Sequence, residues 1–324
     1  MTHGRIGELI RSTSLHHALA ALGDWWSMLL IREAFIGVRT FDDFQGRLAI
    51  PRQTLTNRLR ELVQHELFYT KPYQARPVRH EYRLTRKGLD LYPYALLLWK
   101  WQRKWGQRSV NPLPERLVHL TCGKPMEPVF GCSHCRQPVT LHDTEWREGP
   151  GTARIARALP ARAKRHTVSR SVRDEARLYE HGAFIVADRW THLIIASAYL
   201  GMTTFDGFQR ELGIAPNILS RRLQLLVEAK LLKKQADAAD SRRFQYRLTD
   251  RSRDLFPISM VLIHWADHWM PNPDGPPMLR YHRGCGERLD PAVMCSACGA
   301  DLKPWEVRFE YAGEARPAAA AQPA

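Results

Sequence analysis

The chain is one long unit written twice, so any fold it adopts has to accommodate two copies of that unit. Gly23–Leu67, GDWWSMLLIREAFIGVRTFDDFQGRLAIPRQTLTNRLRELVQHEL, realigns on Ala187–Leu231, ADRWTHLIIASAYLGMTTFDGFQRELGIAPNILSRRLQLLVEAKL, at an offset of 164 residues without a gap. Asp24/Asp188, Trp26/Trp190, Thr40/Thr204, Phe41/Phe205, Leu55/Leu219, Arg58/Arg222 and Leu59/Leu223 are identical across the copies. The register runs on through Tyr82–Thr85 against Tyr246–Thr249, and through Pro93/Pro257, Trp101/Trp265 and Trp105/Trp269. An offset of 163 then brings His119 onto His282 and three cysteines onto three cysteines.

Within one unit, an apolar-rich run from Asp24 to Ile36 followed by Gly37 has a helix start and stop. Thr40 caps a short helix, with Asp43 three residues on as a capping-box variant and Phe41, Phe44 and Leu48 on one face. After a turn at Ala49-Ile50, Pro51 sits where the next helix begins. That helix places Leu55, Leu59, Leu62 and Val63 on one stripe. Its opposite stripe holds Arg52, Gln53, Thr56, Asn57 and Arg60. Copy two divides its residues the same way, with Leu219, Leu223, Leu226 and Val227 inward and Asn217, Ser220, Arg221 and Gln224 outward. Two short helices joined by a tight turn, the second polar and basic outside, have the form of a helix-turn-helix.

Short β-type runs follow at Phe68–Thr70 and Glu81–Leu84. They predict a hairpin wing whose tip carries Arg76, Arg79 and His80, with Arg242 and Arg243 at the tip of its copy-two counterpart. A longer apolar helix with Leu96, Trp99 and Trp105 comes next, and it needs a partner surface. The expected partner is its own counterpart, with Met260, Ile263 and Trp269. The fold class is mainly α, of the α+β type. Two winged helix-turn-helix domains (1–112 and 173–274) are each followed by a small zinc-ribbon-like module (113–149 and 275–312). A basic linker spans 150–172 and a tail too poor in apolar residues to pack spans 313–324.

The modules are read from the cysteines. His119-x2-Cys122-x9-Cys132-x2-Cys135 and His282-x2-Cys285-x9-Cys295-x2-Cys298 share one spacing. Three thiols cannot all pair within a group, whereas three thiolates and an imidazole make a closed tetrahedral zinc site. Two structural Zn(2+) sites are expected, one per module. Each module is too small to fold on hydrophobic burial alone, so the metal would supply much of its stability. A catalytic zinc needs an open position and a nearby acid or base, and neither is evident.

Charge bears on partners. The 48 Lys+Arg against 33 Asp+Glu give +15, which favours a polyanion. No apolar run approaches the ~18 residues of a membrane span, and the N-terminus lacks the apolar core of a secretory signal. A cytoplasmic protein without membrane contact is expected. There is no nucleophile motif, phosphate loop or dinucleotide fingerprint, so an enzyme is not expected. The outward residues instead suit double-stranded DNA. Arg can read guanine and Asn or Gln adenine, while the wing and linker cations contact phosphate. The alternative is a protein-interaction adaptor in which one or both winged helices no longer bind DNA. The copies differ at the reading positions, and the second wing contains Asp237 and Asp240.

These ordered elements resemble the HxlR-type winged-helix transcription factors: GDWWSMLLIREAFIGVRTFDDFQ, IPRQTLTNRLREL and GIAPNILSRRLQLL, the wing end HEYRLTRKG, and the Pro-to-Trp terminal helix. The resemblance covers roughly residues 14–106 and 178–270. It implies a DNA-binding regulator whose terminal helices pack as dimerisation elements. Members of that family are usually one domain per chain acting as a dimer. Here the fusion would supply both halves as an intramolecular pseudo-dimer, with a homodimer as the other arrangement. Family members often carry a cysteine just before the first helix, but the matching positions here are near Ser14 and Leu178, so thiol-based sensing there is not supported. Any small-molecule effector, and the operator, are left open.

Overall fold

The protein is described by a computed structural model that covers residues 6–22, 25–76, 78–106, 113–152, 189–237, 240 and 242–311. The expected tail, the linker beyond residue 152, Asp24 and Leu178 lie outside these residues. In chain order, α1 (Ile6–Ser12) and α2 (Leu15–Leu22) precede a first head. The head comprises α3 (Trp25–Phe35), α4 (Phe41–Leu48), α5 (Arg52–Gln64), β1 (Phe68–Ala75), β2 (Val78–Leu84), α6 (Arg86–Leu89) and α7 (Tyr92–Trp105). Then come β3 (Arg116–His119), β4 (Lys124–Met126), β5 (Pro128–Cys132) and β6 (Thr144–Glu148). The second head is α8 (Arg189–Tyr199), α9 (Phe205–Leu212), α10 (Pro216–Glu228), β7 (Leu232–Ala236), β8 (Phe244–Leu248), α11 (Asp250–Arg253) and α12 (Phe256–Trp269), and β9 (Met278–His282), β10 (Pro291–Cys295) and β11 (Val307–Glu310) follow it.

The helix-turn-helix forms for the reasons legible in its residues. Thr40 is extended at φ −94°, ψ 156°, and its hydroxyl oxygen accepts from the Asp43 backbone N–H at 3.2 Å while donating to the Asp43 carboxylate at 2.6 Å. Thr204 keeps the cap, accepting from the Gly207 N–H at 3.2 Å, but Gly207 cannot return the bond. The turn that follows needs a left-handed residue, supplied by Gly213 (φ 60°) in the second head and by Ala49 (φ 49°) in the first. In the first head Leu55, Leu59 and Leu62 of α5 are at most 1% exposed, against Phe44, Leu67 and Phe68. Leu219, Leu223 and Leu226 repeat this in the second head, with Phe208, Leu231 and Leu232. Val63 and Val227 are only half-buried, at the edge of the apolar stripe.

The first wing is longer than the sequence suggests. β1 and β2 pair antiparallel from Phe68↔Leu84 to Ala75↔Val78, with an irregularity between Pro72 and Gln74, where proline has no N–H for the ladder. Arg79 and His80 therefore stand in β2, opposite Gln74 and Pro72, and Arg76 alone of the three stays at the tip. A polar run around a proline reads as loop. In an exposed two-stranded ribbon those side chains are solvated and the strand persists. The second wing pairs Leu232↔Leu248 through Ala236↔Phe244, leaving Arg242 and Arg243 at the tip as expected.

The expected self-contained modules are the main correction. The chain divides into two compact units, Leu19–Pro138 with Asp290–Ala324, and Met1–Ala18 with Val139–Leu289. In the first-head unit β3 lies between β4 and β11, paired as Val307↔His119 through Glu310↔Arg116. β5 pairs with β10, Pro291↔Cys132 through Cys295↔Pro128. In the second-head unit β6 pairs with β9, Thr144↔His282 through Glu148↔Met278. Each copy's last strand has therefore been exchanged for the other copy's. Segments of about 30 residues bury too little surface to stand alone, and each is paired with a strand of the other copy.

The N-terminal helix also belongs with the second head. α1 packs against α8 and α9, with Leu9 and Ile10 buried, and the Gly7 N–H donates to the buried Glu211 carboxylate at 3.2 Å. A Cβ on Gly7 would stand 1.7 Å from the Glu211 carbonyl oxygen, so the position admits glycine alone. In the first head the residue equivalent to Glu211 is Arg47, whose Nε donates to the buried Glu33 at 2.5 Å.

Candidate nucleic-acid interface and metal centre

The outward stripe of each second helix is where the sequence places it. In α5, Arg52, Gln53, Asn57 and Arg60 are exposed, and Thr56 is half-buried with its hydroxyl donating to the Arg52 carbonyl at 3.0 Å. In α10, Asn217, Ser220, Arg221 and Gln224 are all exposed, together with the apolar Ile218 at 38%. Both stripes start in the first turn of a helix anchored by a fully buried leucine ladder, so the polar groups ride on a rigid element. Their local order differs. Gln53 donates to the Asn57 side-chain oxygen at 3.2 Å, whereas Gln224 donates to Glu228 at 2.9 Å, about two turns further from the helix start.

One contact is not legible in the sequence. The Arg52 guanidinium stands 5.0 Å from the centroid of the Phe41 ring, which orients a reading-helix cation by a cation–π contact from the preceding helix. Phe205 fills the equivalent ring position in copy two, but Pro216 replaces Arg52, so the contact belongs to the first head. On the wings, Arg76 and Arg79 are exposed in the first and Arg242 and Arg243 in the second. The second pair flanks Asp240, with Nε–O distances of 3.2 and 3.6 Å, so part of its charge is already balanced.

The metal ligands are brought together in a different combination from the one expected. None of the six cysteines is in a disulfide. In the first-head unit His119 and Cys122 stand with Cys295 and Cys298, four donor atoms all within 4.8 Å of one another. Cys132 and Cys135 are not in this set. The strand exchange is the cause, since the β11–β3 and β5–β10 pairings deliver the knuckle at Cys295–Cys298 to β3. Spacing could not show this, because the x2 gap recurs in every ligand pair and fits either combination.

Locally, all four ligand pairs make one turn. The N–H one residue past the second ligand donates to the carbonyl of the first: Gly123 to His119 and Arg136 to Cys132 at 2.8 Å, Gly299 to Cys295 at 2.9 Å, and, in the second-head unit, Gly286 to His282 at 2.8 Å. Every donor has positive φ, 69°, 60°, 74° and 76° in that order. Three are glycines. The fourth, Arg136, is held by its guanidinium on the Gly299 carbonyl at 2.7 Å and Asp301 at 2.8 Å.

The donor set suits zinc. The Lys124 backbone N–H holds the Cys122 thiol below its ordinary value, while burial pushes Cys295 up. The Ala297 N–H also points at the Cys295 sulfur, at 3.4 Å. His119 is fully buried, with Nδ1 3.3 Å from Cys298 Sγ and Nε2 3.9 Å from the Glu306 carboxylate. The Glu306 carboxylate is beyond hydrogen-bond reach of Nε2, which has no hydrogen-bond partner among the described residues. Three sulfurs and one nitrogen would hold the ion closed on all sides.

Comparison with known proteins bears on the two heads. A family model, "HxlR-like helix-turn-helix", matches residues 21–110 and 185–274, more than half the chain. The uncharacterized HTH-type transcriptional regulator Rv3095 of Mycobacterium tuberculosis is 42% identical over 138 residues, 43% of this chain and 87% of its own length. The similarly named sll1512 of Synechocystis is 33% identical over 92 residues, 28% of this chain and 68% of its own. YvaP of Bacillus subtilis is 28% identical over 93 residues, 28% of this chain and 86% of its own. By these shares the mycobacterial relative is about one repeat long.

Proposed function

The chain belongs to the HxlR-like helix-turn-helix family, and from that premise we propose that it is a sequence-specific transcriptional regulator that reads double-stranded DNA with two recognition helices, α5 and α10, in one polypeptide. The observation that carries this reading is the exposed polar and basic stripe at the start of both helices, each on a closed leucine core. α5 enters a major groove with Arg52, Gln53, Thr56, Asn57 and Arg60, and α10 enters another with Asn217, Ser220, Arg221 and Gln224. Wing cations Arg76, Arg79, Arg242 and Arg243 contact phosphate, setting affinity without reading bases. One chain carries the two reading heads that a one-repeat relative would need two chains to supply.

The eight histidine and cysteine ligands hold two structural zinc ions. One ion takes His119, Cys122, Cys295 and Cys298. Cys132 with Cys135, and His282 with Cys285, carry the same turns. Zinc here supplies folding energy and performs no chemistry. No helix among the described residues is long and apolar enough to cross a membrane, and the family's work is regulation, not catalysis.

Fluorescence anisotropy of the zinc-loaded chain on labelled duplexes tests the reading. A selected duplex should bind at least ~10³-fold tighter than a scrambled one at physiological salt. Its affinity should fall steeply with added salt. Arg52→Ala should lower the preference for the selected duplex, whereas Arg79→Ala should weaken all duplexes alike and flatten the salt dependence. Equal affinity for every duplex would contradict specific reading.

A further inference from the structure

The second-head unit contains a cleft whose lining side chains differ from those at the matching first-head positions. It is an open cleft of about 570 Å³ among α8, β8 and β6, with Arg247, Arg253 and Arg283 around it and Trp146, Tyr199 and Tyr246 in its walls. Past Trp146 and Tyr199 lies a smaller, more enclosed cavity of about 70 Å³ lined by Phe256, Met260 and Ile263, with Arg280, His192 and Glu145 also on its wall. The pair offers a charged mouth above an apolar floor.

Among the described residues, two of the guanidinium groups at the mouth sit on neutral acceptors. Arg247 donates to the neutral Gln245 side chain at 2.7 and 3.1 Å, and Arg283 to the Thr144 carbonyl at 3.2 Å. The cleft's own carboxylate, Glu145, is engaged by Arg147, and Arg253 is engaged by Asp250 at 2.7 Å. Two guanidinium groups are thus left facing neutral acceptors beside aromatic walls.

The duplicated head serves as an internal control. Where the second head has Thr203, the first has Arg39, folded inward with Nη1 on the Ala34 and Val38 carbonyls at 2.7 and 3.2 Å. Gln245 corresponds to Glu81, which neutralises Arg83 at 2.7 Å. Arg253 and Arg283 correspond to Leu89 and Leu120. One scaffold thus folds with both sets, so the fold itself does not require the cationic set.

We infer that this cleft binds a small organic anion, a planar apolar body bearing a carboxylate or phosphate head. The head would sit on Arg247 and Arg283, and the body between Trp146 and Tyr199 toward the inner cavity. The cleft falls in the 300–1,000 Å³ range of ordinary ligand sites. Its use as an effector site rests on the DNA-binding reading above, because β8 is a wing strand and α8 packs on the reading helix α10. The binding claim itself does not rest on that reading.

Calorimetric titration of the zinc-loaded full chain, without DNA, tests it with benzoate, phenyl phosphate and inorganic phosphate as probes. At least one aromatic anion should bind at one per chain, and inorganic phosphate at least about tenfold more weakly. Arg283→Leu, which installs the first-head residue at an exposed position, should weaken binding about tenfold or more, and Thr203→Arg should abolish it by filling the cleft. Unchanged melting temperatures show that the variants fold, and Arg283→Leu suffices if Thr203→Arg does not. Absence of binding by both aromatic anions up to ~10 mM would overturn the proposal, as would binding untouched by either substitution. Inorganic phosphate binding as tightly as phenyl phosphate would overturn it as well, by assigning the arginines to a bare phosphate.

Discussion

The two heads share a backbone and differ in what they do with it. In the first, buried charge is closed on itself: Glu33 takes Arg47, Arg83 takes Glu81, and Arg39 is folded onto carbonyls. In the second, Ser197 replaces Glu33 and spends its hydroxyl on its own helix, at the Leu193 carbonyl 2.8 Å away. Glu211 stands at the position of Arg47 and accepts the α1 backbone N–H of Gly7. Gln245 and Thr203 open a cationic cleft. The lesson is that duplication released one head from self-satisfaction. The leucine ladder and threonine caps, which the fold requires, are kept in both copies. The polar positions that the fold tolerates either way have moved apart, on the reading stripe as much as inside the cleft.

The largest effect expected from breaking this comparison is at the exchanged metal site. Cys298→Ser should remove one zinc ion per chain and destabilise the first-head unit, although Cys298 lies more than 200 residues beyond that head's wing, which ends at Leu84. A structural zinc contributes on the order of 10 kcal/mol, so unfolding of the module should be evident in a thermal melt with elemental analysis alongside. If modules 113–149 and 275–312 were instead self-contained, Cys298→Ser would leave the first-head unit's amide protection untouched.

Next in size is Gly7→Ala. The added Cβ meets the Glu211 backbone, and such overpacking costs about 1–3 kcal/mol. Hydrogen exchange should report lost protection in α8 and α9 and none in α4 and α5, because α1 serves the second head. Equal losses in both heads would contradict the asymmetric role of α1. The smallest effects form an opposed pair at the helix-turn-helix corner. Ala49→Gly should stabilise the first head, and Gly213→Ala destabilise the second, each by about 0.5–1 kcal/mol, since only the left-handed backbone is at stake. Chemical denaturation with a probe in each head resolves the two signs, and shifts of the same sign would remove the turn as their cause.

Much of this was legible in the residues. The repeat, the caps at Thr40 and Thr204, the buried ladders Leu55-Leu59-Leu62 and Leu219-Leu223-Leu226, and the exposed reading stripes follow from periodicity and capping chemistry. Strand exchange was not, because β3 and β9 occupy equivalent positions of the repeat and periodicity cannot say which copy's last strand pairs with which. The ligand combination inherited that ambiguity through its repeated x2 gaps. The extended first wing was hidden by Pro72 and by polar residues that a solvated ribbon tolerates. The cleft arises from Thr203, Gln245, Arg253 and Arg283, which are distant in sequence and meet only in the fold.

The central claim is that one chain carries two unlike reading heads, and selection of bound duplexes from a random pool tests it most directly. The outward residues of α5 and α10 differ, so the enriched sites should contain two half-sites of different sequence, with centres about 10 base pairs or a multiple apart. Arg52→Ala should then relax one half-site and leave the other unchanged. A perfectly palindromic site, relaxed in both halves by Arg52→Ala, would instead mean that two chains bind through the first head alone.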